Sequence, residues 1–200
     1  HDYPYEAELK LLHQFALKLE EGRGKASVNQ LSVDYNFSFA EDGKVVIKPR
    51  LRGNPIDKLV SELMIHANGS WGRMLTNAFV PAIYRVKQPM QPVTMTLTPN
   101  SHTGLNVDYY TWATSPLRRA VDLVNQAQII SLITKQKPLS ATDFAVANVV
   151  ENFDETYSAY LKFQDSIERY WSLRYLEQEN IHQIKATFTY RNNVQLDGVP

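Results

Sequence analysis

The stretch YYTWATSPLRRAVDLVNQ, residues 109–126, decides how this chain is read. Ser115 and Pro116 together predict a helix start. The serine oxygen can accept one of the orphan N–H groups of a first turn, and proline has no N–H to leave unpaired there. The predicted helix begins with SPLRR and holds Arg118 and Arg119 one turn inside it. Leu123, Val124, Ile129, Ile130 and Ile133 then give it an apolar stripe until two lysines and Pro138 stop it. Open N–H groups and two guanidinium groups converge at such a start. Phosphate oxygens suit it, because arginine offers planar two-point donors and the helix end adds positive partial charge. A solvated arginine pair at an ordinary helix start explains the same letters, so both readings stand at this point.

Upstream, Leu9, Leu12, Phe15, Ala16 and Leu19 recur at three- and four-residue steps and predict an amphipathic helix from Glu6 to about Glu21, ended by Gly22 and Gly24. LSVDYNFSF (31–39) and KVVIKPRL (44–51) flank an Asp-Gly turn signal and predict a hairpin. A second helix is expected from near Asn54, with Pro55 at its first position, through LVSELMIHANGSWGRML. Inside it Glu62 is surrounded by Leu59, Val60, Leu63 and Met64. A carboxylate at the edge of a buried face needs a partner. Either an ion pair or the hydroxyls of a substrate would meet that need.

PAIYRV (81–86) and PVTMTLTP (92–99) read as short strands or extended segments, followed by a loop through PNSHTGLN. Beyond Pro138, caps at Ser140/Asp143 and at Asn152/Asp154 predict two successive helices. Phe153, Tyr157, Tyr160, Phe163, Ile167 and Trp171 keep near-helical spacing along the second. Base stacking is one use for such a stripe, and core packing is the commoner one. QIKATFTYRNNVQL alternates about an Asn-Asn turn and predicts a final hairpin.

Composition narrows the chemistry. The formal net charge is zero, so any nucleic-acid contact must rest on local positive charge. There is no cysteine, hence no disulfide framework and no thiolate metal site, which agrees with a cytoplasmic location. No apolar run approaches the length of a membrane span, and no membrane partner is expected. Histidines 13, 66, 102 and 182 are widely spaced and His1 is terminal, so none forms a metal-ligand pair and each reads as structural. Ser115 lacks a nearby histidine and acid, and its capping role accounts for it better than nucleophilic chemistry does. The opening HDYPYEAELK and the closing VQLDGVP both read as places where a longer chain has been cut.

With these blocks in hand, TWATSPLRRAVDLVNQ resembles the signature of the ribonuclease II/R (RNB) family, in which Ser-Pro-aliphatic-Arg-Arg/Lys is followed by Asp and an aliphatic residue. LVSELMIHAN is similar to the family's Val-Glu-Glu-x-Met-x-x-Ala-Asn helix, and PAIYRV to the stretch that follows it. DSIERYWSLRYL looks like the long helix that closes the catalytic domain. The likeness runs from about Leu31 to Leu176.

The resemblance implies an α+β fold of mixed helices and short strands, the C-terminal portion of an RNB-type catalytic domain. Residues 1–30 would be a helical lead-in, 31–182 the domain portion and 183–200 the start of a C-terminal OB-fold. It implies processive 3′-to-5′ hydrolysis of single-stranded RNA to nucleoside 5′-monophosphates with Mg2+ ions held by four aspartates. Those aspartates lie upstream of every block present here, so this chain would supply no metal ligand and would pair with the missing upstream half of the catalytic domain. Residue by residue, Arg118 matches the family's catalytic arginine at the scissile phosphate and Arg119 its neighbour on the RNA backbone. Glu62 matches the acid that binds the ribose of the 3′-terminal nucleotide, and Asp122 reads as structural.

The chain departs from the family pattern in several places. Ser61 replaces the first acid of the Glu-Glu pair, Ala120 an aromatic, and Gln126-Ala127 a His-Arg pair. The segment between PAIYRV and SPLRR is shorter than in typical members. A non-catalytic RNA-binding or regulatory relative that has lost the metal cluster is the competing expectation.

Overall fold

The computed structural model describes residues 3–24, 32–188 and 194–200. It divides into two compact units, residues 1–28 with 55–156 and residues 29–54 with 157–200. Helices and short two-stranded sheets alternate along the chain, which is the mixed architecture expected.

In the first unit, α1 (Glu6–Gly22) packs along α2 (Pro55–Asn77). Pro55 opens α2, where its missing N–H costs nothing. The face of α1 that meets α2 is narrower than the sequence stripe: Ala16 and Glu20 are buried, whereas Leu9, Leu12 and Phe15 stay partly exposed. Downstream, β3 (Tyr84–Lys87) pairs antiparallel with β4 (Val93–Thr96). Segment 109–113 runs beside β3 through a Tyr84–Thr111 bridge and a bond from the Arg85 N–H to the Tyr110 carbonyl at 2.7 Å. It lies against α2 because that helix offers glycine there. A Cβ on Gly72 would meet Tyr109 backbone and side-chain atoms at 3.3 Å.

Leu75, Ala82, Tyr84, Val86, Ala113 and Ile129 form the core of this unit. The Tyr84 hydroxyl bonds to Thr76 Oγ1 at 2.8 Å, and burial holds its phenol above the ordinary tyrosine pKa.

Two helices differ from expectation. α3 spans Ala120–Thr134 and does not include SPLRR. Residues 116–118 form a turn, with the Arg118 N–H on the Ser115 carbonyl at 3.3 Å, and Arg119 is extended at φ −137° and ψ 116°. Ser115 therefore caps nothing; its N–H is drawn instead to Asp122. The stripe of α3 also splits. Val124 and Ile129 are buried, but so are Asp122, Asn125 and Gln128 at three-residue steps, while Leu123, Ile130 and Ile133 face outward. The inner face is polar because irregular backbone beside it must be paired. Gln128 bonds the carbonyls of Pro81 and Leu139 and the Leu139 N–H, all within 2.9 Å.

The expected pair of helices after Pro138 is one helix, α4 (Phe144–Gln178), 35 residues long and passing from the first unit into the second. The second cap fails because its residues are engaged elsewhere. Asn152 donates back to the Asn148 carbonyl one turn earlier, and Asp154 accepts the Met95 N–H at 3.3 Å. Phe153 packs edge-on to Trp112, but Tyr160, Phe163 and Ile167 are exposed, so most of the aromatic stripe is not core in this chain.

In the second unit, β1 (Ser32–Phe39) and β2 (Val45–Arg52) form the predicted hairpin, with Gly43 taking the positive φ of its turn. Gln178 pairs with both backbone groups of Val45, and Trp171 meets Phe39 edge-on at 4.9 Å. β5 (Ala186–Phe188) pairs with β6 (Val194–Leu196); the predicted Asn-Asn turn lies outside the described residues.

Candidate functional site

Asp122 organises the loop that carries both arginines. It is the third residue of α3, fully buried, and acidic where the helix dipole favours negative charge. Its Oδ1 accepts the Ser115 N–H at 2.8 Å and Arg119 Nη2 at 2.6 Å, and its Oδ2 accepts Arg119 Nε at 2.6 Å. One carboxylate thus ties the start of the loop to its end. The Arg119 side chain it holds is 12% exposed, and its guanidinium lies over the Trp112 ring at 3.9 Å, with Arg85 against the same ring at 4.5 Å.

Arg118 is held only through its backbone. Its side chain is exposed and has no hydrogen-bond or ion-pair partner among the described residues, and the neighbouring Leu117 is fully exposed. Two adjacent arginines of the same chemistry are thus divided, one locked inward and one presented outward.

Behind the loop, segment 109–113 is fastened on two sides. Asn125 accepts the Ile83 N–H at 2.8 Å and donates to the carbonyls of Ile83 and Trp112 at 2.9 Å each. Asn68 accepts the Ala113 N–H at 3.2 Å, and its backbone carbonyl accepts the Thr111 hydroxyl at 3.0 Å. Both asparagines are fully buried. Leaving such partners unpaired costs about 1–3 kcal/mol per group, so these amides fix the backbone that leads into the loop.

Glu62 lies on α2, less than two turns before Asn68. Its side chain is 5% exposed, and its partner is Arg23 Nη2, at 2.5 Å, from just beyond the end of α1. Arg23 also donates to the Leu105 carbonyl. Glu20 and Lys58 form a parallel pair at 2.6 Å across the same helix seam. Arg23 then lines a cavity of about 500 Å³ shared with His66, Gly69, Arg73, Asn106 and Tyr109. No hydrogen bond or ion pair joins Glu62 to Arg118 or Arg119 among the described residues.

The sequence profile of the RNB domain matches residues 1–98 and 86–135, together two thirds of the chain. The chain belongs to the RNB domain family. The two matched stretches overlap at residues 86–98, which include β4. An uncharacterized ribonuclease of Synechocystis is 25% identical over 152 residues, 64% of this chain and 22% of its own length. Among solved structures, an active-site mutant of the Dss1 exoribonuclease of Candida glabrata superposes with a TM-score of 0.77 at 22% identity, over 94% of this chain and 29% of that one. Mycoplasma genitalium RNase R in complex with ribose-methylated single-stranded RNA gives 0.79 at 13% identity, over 96% of this chain and 40% of that one. The chain thus spans well under half the length of each of these relatives. The fold is that of the RNB exoribonucleases.

The RNB lineage implies a metal ion, and the residues present do not provide for it: no three His, Asp or Glu side chains gather to hold one among the described residues. No described helix is long and apolar enough to cross a membrane. Sequence reasoning missed Arg23, which lies in the short GRG stretch after α1 and matches no motif. It also missed the two asparagines, of which Asn68 closes the LVSELMIHAN block.

Proposed function

We propose that this chain is part of a 3′-to-5′ exoribonuclease that hydrolyses single-stranded RNA processively to nucleoside 5′-monophosphates. The observation that carries the reading is the Arg118 guanidinium, exposed and without a partner among the described residues, on a loop tied down by Asp122 in a chain of the RNB family. A permanently charged planar fork without an internal partner is suited to phosphate oxygens, and a rigid base keeps it in place as charge develops on them. Arg118 is assigned to the scissile phosphate and Glu62 to the ribose of the 3′-terminal nucleotide. Magnesium, held by aspartates outside this chain, would supply the activated water, and residues 31–182 would form one wall of the catalytic domain ahead of an OB-fold beginning near 183. The RNase R complex with single-stranded RNA supports RNA as the ligand class. A cytoplasmic location is part of the same reading.

The test is single-turnover cleavage of end-labelled single-stranded RNA by the full-length protein with magnesium. Arg118→Ala is expected to slow cleavage by roughly a hundredfold, the scale for removing one electrostatic donor, with a much smaller loss of RNA affinity. Arg118→Lys should restore part of the rate, since ammonium keeps the charge and loses the fork. A folded protein that binds RNA and leaves it uncut would instead establish the non-catalytic relative.

A further inference from the structure

We infer that Asp122, Arg119 and Trp112 form a positioning unit for Arg118, so that Arg119 serves the reaction from behind the loop instead of by gripping the RNA backbone. This rests on the role proposed above for Arg118 and adds how that residue is aimed.

Loop closure comes first. The Ser115 N–H and the Arg119 side chain bracket Arg118 in sequence, and both end on the one Asp122 carboxylate, at 2.8 Å and 2.6 Å. Asp122 is fully buried and cannot move with the loop, since it belongs to the first turn of α3. Between these anchors the chain has a single turn, closed by the Arg118 N–H on the Ser115 carbonyl. The backbone of Arg118 is thereby fixed from both sides while its side chain stays free.

Orientation comes second. A guanidinium held only by an ion pair can rotate about its stem; this one also lies over the Trp112 ring, 3.9 Å from its centroid, and the attraction to the ring face opposes that rotation. Trp112 is immobilised in turn by Phe153 edge-on at 6.1 Å, by Arg85 at 4.5 Å and by its carbonyl on Asn125 Nδ2 at 2.9 Å. Three of the Arg119 interactions thus face inward. With its side chain 12% exposed, the residue has little surface left to offer a phosphate, in contrast to Arg118.

The unit predicts which substitutions matter. In Asp122→Asn one oxygen remains to accept a bond, but the other becomes an NH2 group facing an Arg119 N–H, donor against donor. Arg119→Lys keeps the charge and loses both the two-point pair and the planar group over the Trp112 ring. Each should loosen the loop without removing the Arg118 charge. Displacing a catalytic group by about 1 Å can cost on the order of a hundredfold in rate, so the effect belongs in the chemical step and not in binding.

The experiment measures single-turnover cleavage rate, RNA affinity and melting temperature for the full-length protein carrying Asp122→Asn or Arg119→Lys, each with Arg118 intact and with Arg118→Ala. The expected result is a cleavage rate lowered by roughly tenfold to a hundredfold at unchanged RNA affinity when Arg118 is present. With Arg118→Ala no further loss should follow, because residues that act as a unit are not additive. Should Asp122→Asn fail to fold, Arg119→Lys carries the test alone. Wild-type rates with only a lower melting temperature would make the unit merely structural and overturn the inference. So would rate losses of equal size with and without Arg118, or an Arg119→Lys protein that cuts normally and binds RNA less tightly. If the wild type does not cut RNA, or Arg118→Ala cuts as fast as the wild type, the proposed function itself fails, and that outcome is distinct from the others.

Discussion

Two buried acid–arginine pairs organise the first unit, and they are built at opposite ranges. Asp122 meets Arg119 three residues earlier, inside one loop–helix junction, whereas Glu62 meets Arg23 from 39 positions away, across the seam of α1 and α2. The local pair shapes backbone, since the same carboxylate also holds the Ser115 N–H. The distant pair joins elements, since Arg23 also reaches the Leu105 carbonyl and Asn106 reaches the Arg23 carbonyl. Each pair occupies an arginine, and Arg118 is left with its charge unspent within the described residues. A short-range pair thus bears on where one side chain points, and a long-range pair on whether two helices stay together.

The largest effect expected from breaking this contrast is on stability at the distant pair. Arg23→Ala leaves the Glu62 carboxylate buried without its cation, and removing one partner of a buried pair costs about 3–5 kcal/mol. The lower end applies here, because the Arg23 side chain is 16% exposed and water can reach the gap. Urea unfolding of the full-length protein should show a loss of about 3 kcal/mol at the transition that includes α1 and α2. An unchanged transition would mean that the seam holds without the pair and that the two ranges do not differ in kind.

Glu62→Gln is a gentler change at the same place. The amide keeps an oxygen for Arg23 but gives up the charge assistance, so the loss should be about 1–2 kcal/mol, roughly the margin of a charged over a neutral hydrogen bond. The two readings of Glu62 then separate. If the carboxylate also positions the ribose of the 3′ end, the variant should alter the length of the final RNA product or the cleavage rate, read on a sequencing gel at a temperature where the variant is fully folded. A wild-type product pattern and rate would leave Glu62 as a clamp between helices and nothing more.

How much of this was legible follows the same division by range. Periodicity, glycine and proline placed α1, the β1–β2 hairpin and α2 close to their observed ends, because those signals act over a few residues. The need of Glu62 for a partner could also be read, from its apolar neighbours alone. The partner could not, since Arg23 is brought to it by the packing of α1 on α2, and one-dimensional spacing carries no trace of that. Ser-Pro misled for a related reason: a cap signal is a local preference, and the buried Asp122 outbids it by binding the Ser115 N–H from the next turn. The i, i+3 step from Arg119 to Asp122 stands in the sequence, but the burial of Asp122 and the place of Arg119 over Trp112 come from tertiary packing that this spacing does not carry. On α3, hydrophobicity alone pointed Leu123, Ile130 and Ile133 inward, and the backbone of segments 81–83 and 112–115 required amides and a carboxylate there instead.

The smallest effect expected is also the one that most directly compares the two adjacent arginines. RNA binding releases counterions, and each phosphate neutralised on a single strand contributes about −0.7 to the slope of log affinity against log salt. Arg118, exposed and unpaired among the described residues, should make one such contact, so Arg118→Ala should flatten the slope by about 0.7. Arg119 has its charge balanced by Asp122 in the free protein, and removing it exposes that carboxylate to no phosphate that was touching the arginine. Arg119→Gln should therefore leave the slope as it is in the wild type, while Arg118→Lys, which keeps a cation at the exposed position, should also preserve it. The measurement is a salt titration of RNA affinity under conditions without turnover. Equal flattening by alanine at 118 and glutamine at 119 would place both side chains on the RNA and erase the distinction between an inward and an outward arginine. Flattening by Arg118→Ala alone would show that the pairing with Asp122 decides which of two neighbouring guanidinium groups the RNA meets.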